Sequence, residues 1–286
     1  MYDDLLVPVD ESAGATTALE HAREIAERFG STVHVLNVAN TNRDSVTVVG
    51  TDVVDALEHE GEGVVEEVAT DLRDAGIDCR TEVLQGDPAA TIADYAESQN
   101  FDLVVMPTHG RSGLSRYLLG SVTEKVVRLS PVPVLTVRME EARTSFPYEN
   151  VLLPTDGSEA ATRAVGQATD LAAELDATLH VLSVVGEPSL GLDVRSQVSD
   201  ADLREAAEET VSNAAETAAD GGVERVVERV ERGDPARTID AYAEENDVDL
   251  VVMGTTGRRE VDRILLGGVT EKVLRSSPVP VMTVRK

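Results

Sequence analysis

One internal repeat constrains this chain more than any other feature. Tyr2-Asp3-Asp4-Leu5-Leu6-Val7-Pro8-Val9-Asp10 recurs as Tyr148-Glu149-Asn150-Val151-Leu152-Leu153-Pro154-Thr155-Asp156, and Gly86-Asp87-Pro88-Ala89 recurs as Gly233-Asp234-Pro235-Ala236. Gly120 to Arg138 matches Gly267 to Arg285 at 15 of 19 positions. The offset is 146 residues early and 147 later, far beyond the roughly 20–50 residues of a solenoid unit. The repeat is therefore a whole domain. The expected boundaries are 1–138 for the first copy and 148–286 for the second, with 139–147 as a linker that matches nothing.

Within each copy, short apolar runs alternate with helical patterns. In the first copy the expected strands are Leu5–Val9, Thr32–Val38, Cys79–Leu84, Leu103–Met106 and Val132–Val137. Between them lie a stripe over Leu19, Ala22, Ala26 and Phe29 ended by Gly30, a longer helix stopped near Gly76, a helix from Ala89 to about Ser98, and one opening at Gly120. Near-continuous apolar strands separated by helices imply a parallel sheet covered on both faces. Right-handed crossovers then give an α/β class: two doubly wound five-stranded parallel sheets in tandem.

Composition limits the partners. There are 53 acids against 25 bases, a net charge of −28, and only Lys125, Lys272 and Lys286 are lysines. Such an acidic, lysine-poor surface is expected of a halophilic protein, kept hydrated where salt screens charges within about 3 Å at 1 M. It opposes nucleic acid or acidic membrane as a partner, since phosphate backbones need a basic footprint. No run approaches the ~18 apolar residues of a membrane helix. Met1-Tyr2-Asp3-Asp4 carries no basic secretory n-region, so a cytoplasmic location is expected. The single Cys79 gives no intramolecular disulfide and no metal-cluster spacing, and reads as a core or edge filler.

Ligands of open α/β sheets bind at the carboxyl ends of strands, near a topological switch point. Two segments belong there: Pro8 and Asp10, and the loop after the fourth strand. That loop runs Pro107-Thr108-His109-Gly110, nine residues, then Gly120-Ser121; in the second copy it runs Gly254-Thr255-Thr256-Gly257, nine residues, then Gly267-Gly268. Glycines let amides approach an anion, and a helix N-terminus carries free donors and partial positive charge. Ser121 adds a hydroxyl, and Thr123 and Thr270 sit in the first helical turn. Residues 103–138 and 250–286 each carry net +4, leaving −36 on the rest. Anion binding explains that bias, and so does exclusion of acids from a domain–domain contact.

The strand, G-x-x-G, nine residues and G-[S/T] at a helix start resemble the ATP-binding motif of the universal stress protein family. The Pro-x-Asp strand end and Gly-Asp-Pro-Ala also fit, and the resemblance covers both copies. It implies a Rossmann-like five-stranded fold and an adenine nucleotide as cofactor, ATP with or without Mg²⁺, although some members bind none. By position it implies that Asp10 and Asp156 approach the ribose and adenine beside Pro8 and Pro154. The backbone at Val38 and Val184 would meet the adenine edge. Pro107, Gly110, Arg111, Gly120, Ser121, Val122 and Thr123 would surround the phosphates in the first copy. Gly254, Gly257, Arg258, Gly267, Gly268, Val269 and Thr270 would do so in the second. Pro107 departs from the motif by lacking an N–H, and Gly268 departs by lacking a hydroxyl; each lost hydrogen bond is worth roughly 0.5–1.5 kcal/mol, or up to ~3 with charge assistance. Two unequal sites are expected, in no stated order.

The family implies a stress-response sensor or regulator rather than an enzyme. A nucleotide-independent scaffold and a slow ATPase or autophosphorylating protein are the alternatives. No catalytic or metal-binding residues are assigned. The second copy has Thr256 at the position of His109, so a shared catalytic histidine is not expected, and His34 and His180 read as packed or edge residues on strands. Asp10 has two open readings, ligand contact or helix capping, with Ser12 the stronger N-cap. No G-x-x-x-x-G-K-[S/T], G-x-S-x-G, H-E-x-x-H or dinucleotide G-x-G-x-x-G is present. Val132–Val137 and Val279–Val284 would be exposed edges, and the family pairs such edges. An intramolecular pseudo-dimer through these strands is expected, with further homo-oligomerisation open.

Overall fold

The apolar runs become strands because each has helices to cover it. In the computed structural model, residues 1–10, 12–40, 51–108, 119–138, 146–186, 199–256 and 266–285 are described, without the side chains of 13 and 51–57. The chain divides into two units, Met1–Pro147 and Tyr148–Lys286.

The first unit runs β1 (Asp4–Pro8), α1 (Ala13–Phe29), β2 (Thr32–Asn40), α2 (Thr51–Asp74), β3 (Cys79–Gly86), α3 (Pro88–Ser98), β4 (Leu103–Pro107), α4 (Ser121–Leu129) and β5 (Val134–Val137). Its strands are parallel in the order β3-β2-β1-β4-β5. The second runs β6 (Asn150–Pro154), α5 (Glu159–Leu175), β7 (Thr178–Val185), α6 (Asp200–Asp220), β8 (Arg225–Arg232), α7 (Pro235–Glu245), β9 (Leu250–Gly254), α8 (Gly268–Ser276) and β10 (Val281–Val284). Its order is β8-β7-β6-β9-β10, again parallel. Each is a doubly wound sheet.

Central strands are buried on both faces. Leu5, Leu6, Val7, Leu103, Val104 and Val105 are fully enclosed, as are Leu152, Leu153, Leu250 and Val251 in the second unit. This explains why these runs show no polar alternation. β8, at one end of its order, instead carries exposed Arg225, Glu228, Arg229, Glu231 and Arg232, charges that discourage edge pairing. β5 and β10 begin two residues later than the sequence suggested. Pro133 and Pro280 have no N–H to donate, though their carbonyls accept from Val104 N at 2.9 Å and Val251 N at 3.0 Å. Phe146, placed in the linker by sequence, packs edge-on at 6.4 Å from the His21 ring and donates its amide to Glu24 Oε2 at 3.3 Å.

One aspartate clamps each sheet at its amino end. Asp102 Oδ2 accepts from Asp3 N at 2.7 Å and Asp4 N at 3.0 Å. Asp249 Oδ2 does the same for Glu149 N and Asn150 N, both at 2.8 Å. These bonds join β1 to β4 and β6 to β9 where each pair starts, at the end opposite the site.

The two strand histidines differ. His34 Nε2 lies 2.9 Å from Asp4 Oδ1, with its ring edge-on to Phe101 at 4.7 Å. His180 has Asn150 at the position of Asp4, and Asn150 Nδ2 donates instead to Asp247 O at 3.2 Å. His180 Nδ1 meets Tyr242 Oη at 2.9 Å, while its Nε2 is buried without a hydrogen-bond partner. Burial, with a smaller push from Arg229, lowers the His180 pKa. The folded imidazole therefore stays neutral where the unfolded one, near 6.5, takes up a proton. The unfolded state binds more protons, so this residue's contribution falls as pH drops below about 6.5, by at most about 1.4 kcal/mol per pH unit. Denaturant unfolding between pH 7.5 and 5.5 should show this loss, and His180→Phe should flatten it. An equally steep pH dependence in the variant would exclude His180 as its source.

Candidate functional site

The strand order reverses between β1 and β4, and between β6 and β9, so each unit has its crevice there. A proline opens it. Val9 N donates to Leu36 O at 2.8 Å on the β2 side, so the Pro8 nitrogen lies on the β4 side, where it has no proton to give. The β1–β4 ladder stops at Leu6–Val104. Pro154 repeats this: Thr155 N donates to Leu182 O at 2.8 Å, and the β6–β9 ladder stops at Leu152–Val251. Both prolines thus hold the strand ends apart.

The glycine-bounded loop is closed at its base by three bonds. Thr108 N donates to Val137 O at 2.9 Å, Gly120 N to Thr108 O at 2.7 Å, and the buried Thr123 hydroxyl to Pro107 O at 2.8 Å. The second unit has Thr255 N to Val284 O at 3.0 Å, Gly267 N to Thr255 O at 2.7 Å, and Thr270 Oγ1 to Gly254 O at 2.8 Å. These bonds fix the start of α4 and α8 above the ends of β4 and β9. They also change the roles of predicted residues. The Gly120 and Gly267 amides close the loop, and the Thr123 and Thr270 hydroxyls are committed to the strand ends. The first helical turn carries exposed Ser121 and half-buried Val122, with exposed Gly268 and Val269 in the second unit. Gly110, Arg111, Gly257 and Arg258 lie outside the described residues, as does His109.

Capping sets α4 and α8 apart. Ser12, Asp87, Ser158, Ser199 and Asp234 each accept a backbone N–H at the start of α1, α3, α5, α6 and α7. The N-caps of α4 and α8 are Gly120 and Gly267, with no side-chain bond. Among α1 and α3–α8, the two helix starts at the switch points are the ones whose N-cap residue supplies no side-chain acceptor, and a helix start with its dipole attracts an anion.

Asp10 braces the N-cap. Its Oδ1 accepts from Ser12 N at 3.1 Å and from the Ser12 hydroxyl, while Ser12 Oγ accepts from Ala15 N at 3.3 Å. Asp156 Oδ1 likewise accepts from Ser158 N at 3.0 Å. Val38 and Val184 are half-buried near the ends of β2 and β7, paired with Leu84 and Glu231.

Sequence reasoning missed three contributors. Asn37 Nδ2 donates to Val9 O at 2.9 Å and fixes the carbonyl beyond Pro8. A Cβ on Gly61 would lie 2.6 Å from Asn37 Oδ1, so the glycine makes room for this side chain under α2. A polar residue interrupting the apolar run of β2 was the available signal. Ser158 Oγ reaches Thr256 O at 3.3 Å, tying α5 to the loop. The third concerns lysine: Lys125 Nζ lies 3.9 Å from Asp87 Oδ2 and Lys272 Nζ 3.6 Å from Asp234 Oδ2. Gly-Asp-Pro-Ala is thus a helix start, with glycine φ values of 147° and 154°, an aspartate cap and proline in the first turn. The Arg237 amide holds Asp234 below the usual carboxylate range, and Lys272 adds to this.

Gly254 is required by packing. An added Cβ would lie 2.7 Å from the carbonyl carbon of Ala160 and 2.9 Å from its oxygen. In the first copy the strand-end residue is Pro107, and the α1 position equivalent to Ala160 is Gly14. Bulk has moved from the helix to the strand.

The fold and site define a class: a tandem, doubly wound α/β protein that presents a helix start with no side-chain cap at each switch point. The chain belongs to the universal stress protein family, whose sequence model matches residues 1–138 and 147–285. A universal stress protein of Mycolicibacterium smegmatis is 29% identical over 293 residues, covering 98% of this chain and 96% of that protein. One from Methanocaldococcus jannaschii is 36% identical over 143 residues, covering 49% of this chain and 83% of its own length. The crystal structure of a universal stress protein from Archaeoglobus fulgidus matches with a TM-score of 0.78 at 27% identity, covering 99% of this chain and 98% of that one.

Proposed function

We propose that this chain binds an adenine nucleotide, ATP foremost, at one or both switch points and acts as a stress-response sensor or regulator. The observation that carries the reading is the pair of helix starts without a side-chain cap, in a chain that caps α1, α3, α5, α6 and α7 with Ser or Asp. In a protein of net charge −28, that makes a selective place for a polyanion. First-turn amides would meet phosphate oxygens. Asp10 and Asp156, held by the N-cap serines, would face the ribose. Among the described residues no cluster of three His, Cys, Asp or Glu side chains could hold a metal, so Mg²⁺ would arrive on the nucleotide phosphates.

Among the described residues no helix is long and apolar enough to cross a membrane. The proposed setting is a salt-rich cytoplasm, with non-enzymatic action. Mass spectrometry of the small molecule carried by protein purified at high salt tests the nucleotide reading. An adenine nucleotide supports it. Ligand-free protein whose melting does not respond to ATP would favour the scaffold alternative. Steady phosphate release that disappears in Asp10→Asn with Asp156→Asn would favour the ATPase.

A further inference from the structure

The two copies differ at the strand end that borders the crevice. Val104 and Thr108 both direct their amides to the β5 side, to Pro133 O and Val137 O at 2.9 Å. Amide direction alternates along a strand, so nitrogen 107 lies on the β1 side, beyond the last rung of that ladder. Val251 and Thr255 donate to Pro280 O and Val284 O at 3.0 Å, which turns the Gly254 amide into the matching gap beside β6. The first copy therefore has a pyrrolidine ring with no donor at the mouth of its crevice, and the second has an N–H on a residue with no side chain.

The N-cap serines point the same way. In the second copy the Ser158 hydroxyl bonds Thr256 O at 3.3 Å, so α5 and the loop base are fastened together before any ligand arrives. In the first copy the Ser12 hydroxyl turns to Asp10, adding to the Ser12 amide on the same carboxylate oxygen. The opposing term is Ser121, whose hydroxyl the second copy lacks. That side chain is exposed and must be ordered on binding, whereas the Gly254 amide is already fixed by its strand.

Resting on the nucleotide reading above, we propose that the second copy is the tighter nucleotide site and that Gly254, against Pro107, sets the difference. Calorimetric titration of the full chain with Mg-ATP at high KCl should then resolve two events, about tenfold or more apart in Kd, the factor one fixed charge-assisted hydrogen bond supplies. Glutamate at 121 or 268 stands at the first helical position, where it favours the helix and repels phosphate. A Cβ on Gly268 meets nothing within 4 Å, so this substitution has room. Gly268→Glu should remove the tighter event, Ser121→Glu the weaker, and Pro107→Gly should bring the weaker towards the tighter, with unfolding curves confirming that each variant folds. Loss of the tighter event in Ser121→Glu, equal affinities in the parent, or no gain in Pro107→Gly would overturn the ranking while the nucleotide reading stands. An absence of binding in the parent chain would overturn both.

Discussion

Gly254→Ala should destabilise the second unit by about 1–3 kcal/mol, the range of a methyl group forced into packed structure. The sign is informative, because glycine to alanine at an unstrained position usually stabilises by about 0.4–1 kcal/mol through the unfolded chain. The expected loss comes from backbone: the added Cβ would stand 2.7 Å from the Ala160 carbonyl carbon, and backbone cannot rotate aside as a side chain can. The Ala160 Cβ, 2.9 Å from the same point, is the part of the obstacle that can be removed. Ala160→Gly should therefore recover only the part of the loss that this Cβ causes when combined with Gly254→Ala, while the backbone clash persists; Gly14 and Pro107 are the corresponding pair in the first copy. A double-mutant cycle by denaturant unfolding at high KCl measures the coupling. A neutral Gly254→Ala, or a double variant whose loss is the sum of the singles, would contradict the packing account.

The second large effect concerns binding. Ser121→Glu combined with Gly268→Glu should weaken ATP by about a hundredfold or more, since each carboxylate meets phosphate where the helix dipole would otherwise attract it. Unfolding should be unchanged within about 0.5 kcal/mol, because both positions are exposed and an acid in the first turn suits a helix. This separates ligand recognition from stability, which glycine substitutions at 120 and 267 would confuse. Those glycines close the loop base through Thr108 and Thr255. A variant that retains parental ATP affinity would move the phosphate site away from these helices.

The doubled sheet was legible because strand burial is written directly into composition: Leu5-Leu6-Val7 and Leu103-Val104-Val105 are apolar throughout. The start of α1 was legible for a related reason, as Ser12 is a polar residue just before an apolar-periodic segment; the caps at Asp87 and Asp234 emerged only with the structure. Chain direction at each residue was not. That Pro8 turns its missing amide towards β4, or that Gly120 donates within the loop, depends on register, and register is fixed by pairing between distant segments. The same holds for Thr123 and Thr270. Their first-turn position suggested a ligand contact, yet tertiary placement puts each hydroxyl on a strand-end carbonyl. Asn37 and Gly61 escaped notice because their relation spans β2 and α2 and is absent from the repeat: the second copy has Ser183 in place of Asn37.

The central proposal is that first-turn amides at one or both switch points hold a polyanionic nucleotide. Titration of the unmodified full chain with Mg-ATP at high KCl, followed by heat and repeated with the Ser121→Glu and Gly268→Glu double variant, tests it most directly. Saturable binding in the parent that the double variant lacks is the predicted result. Binding of equal strength in both proteins, or none in the parent up to millimolar nucleotide, would contradict it.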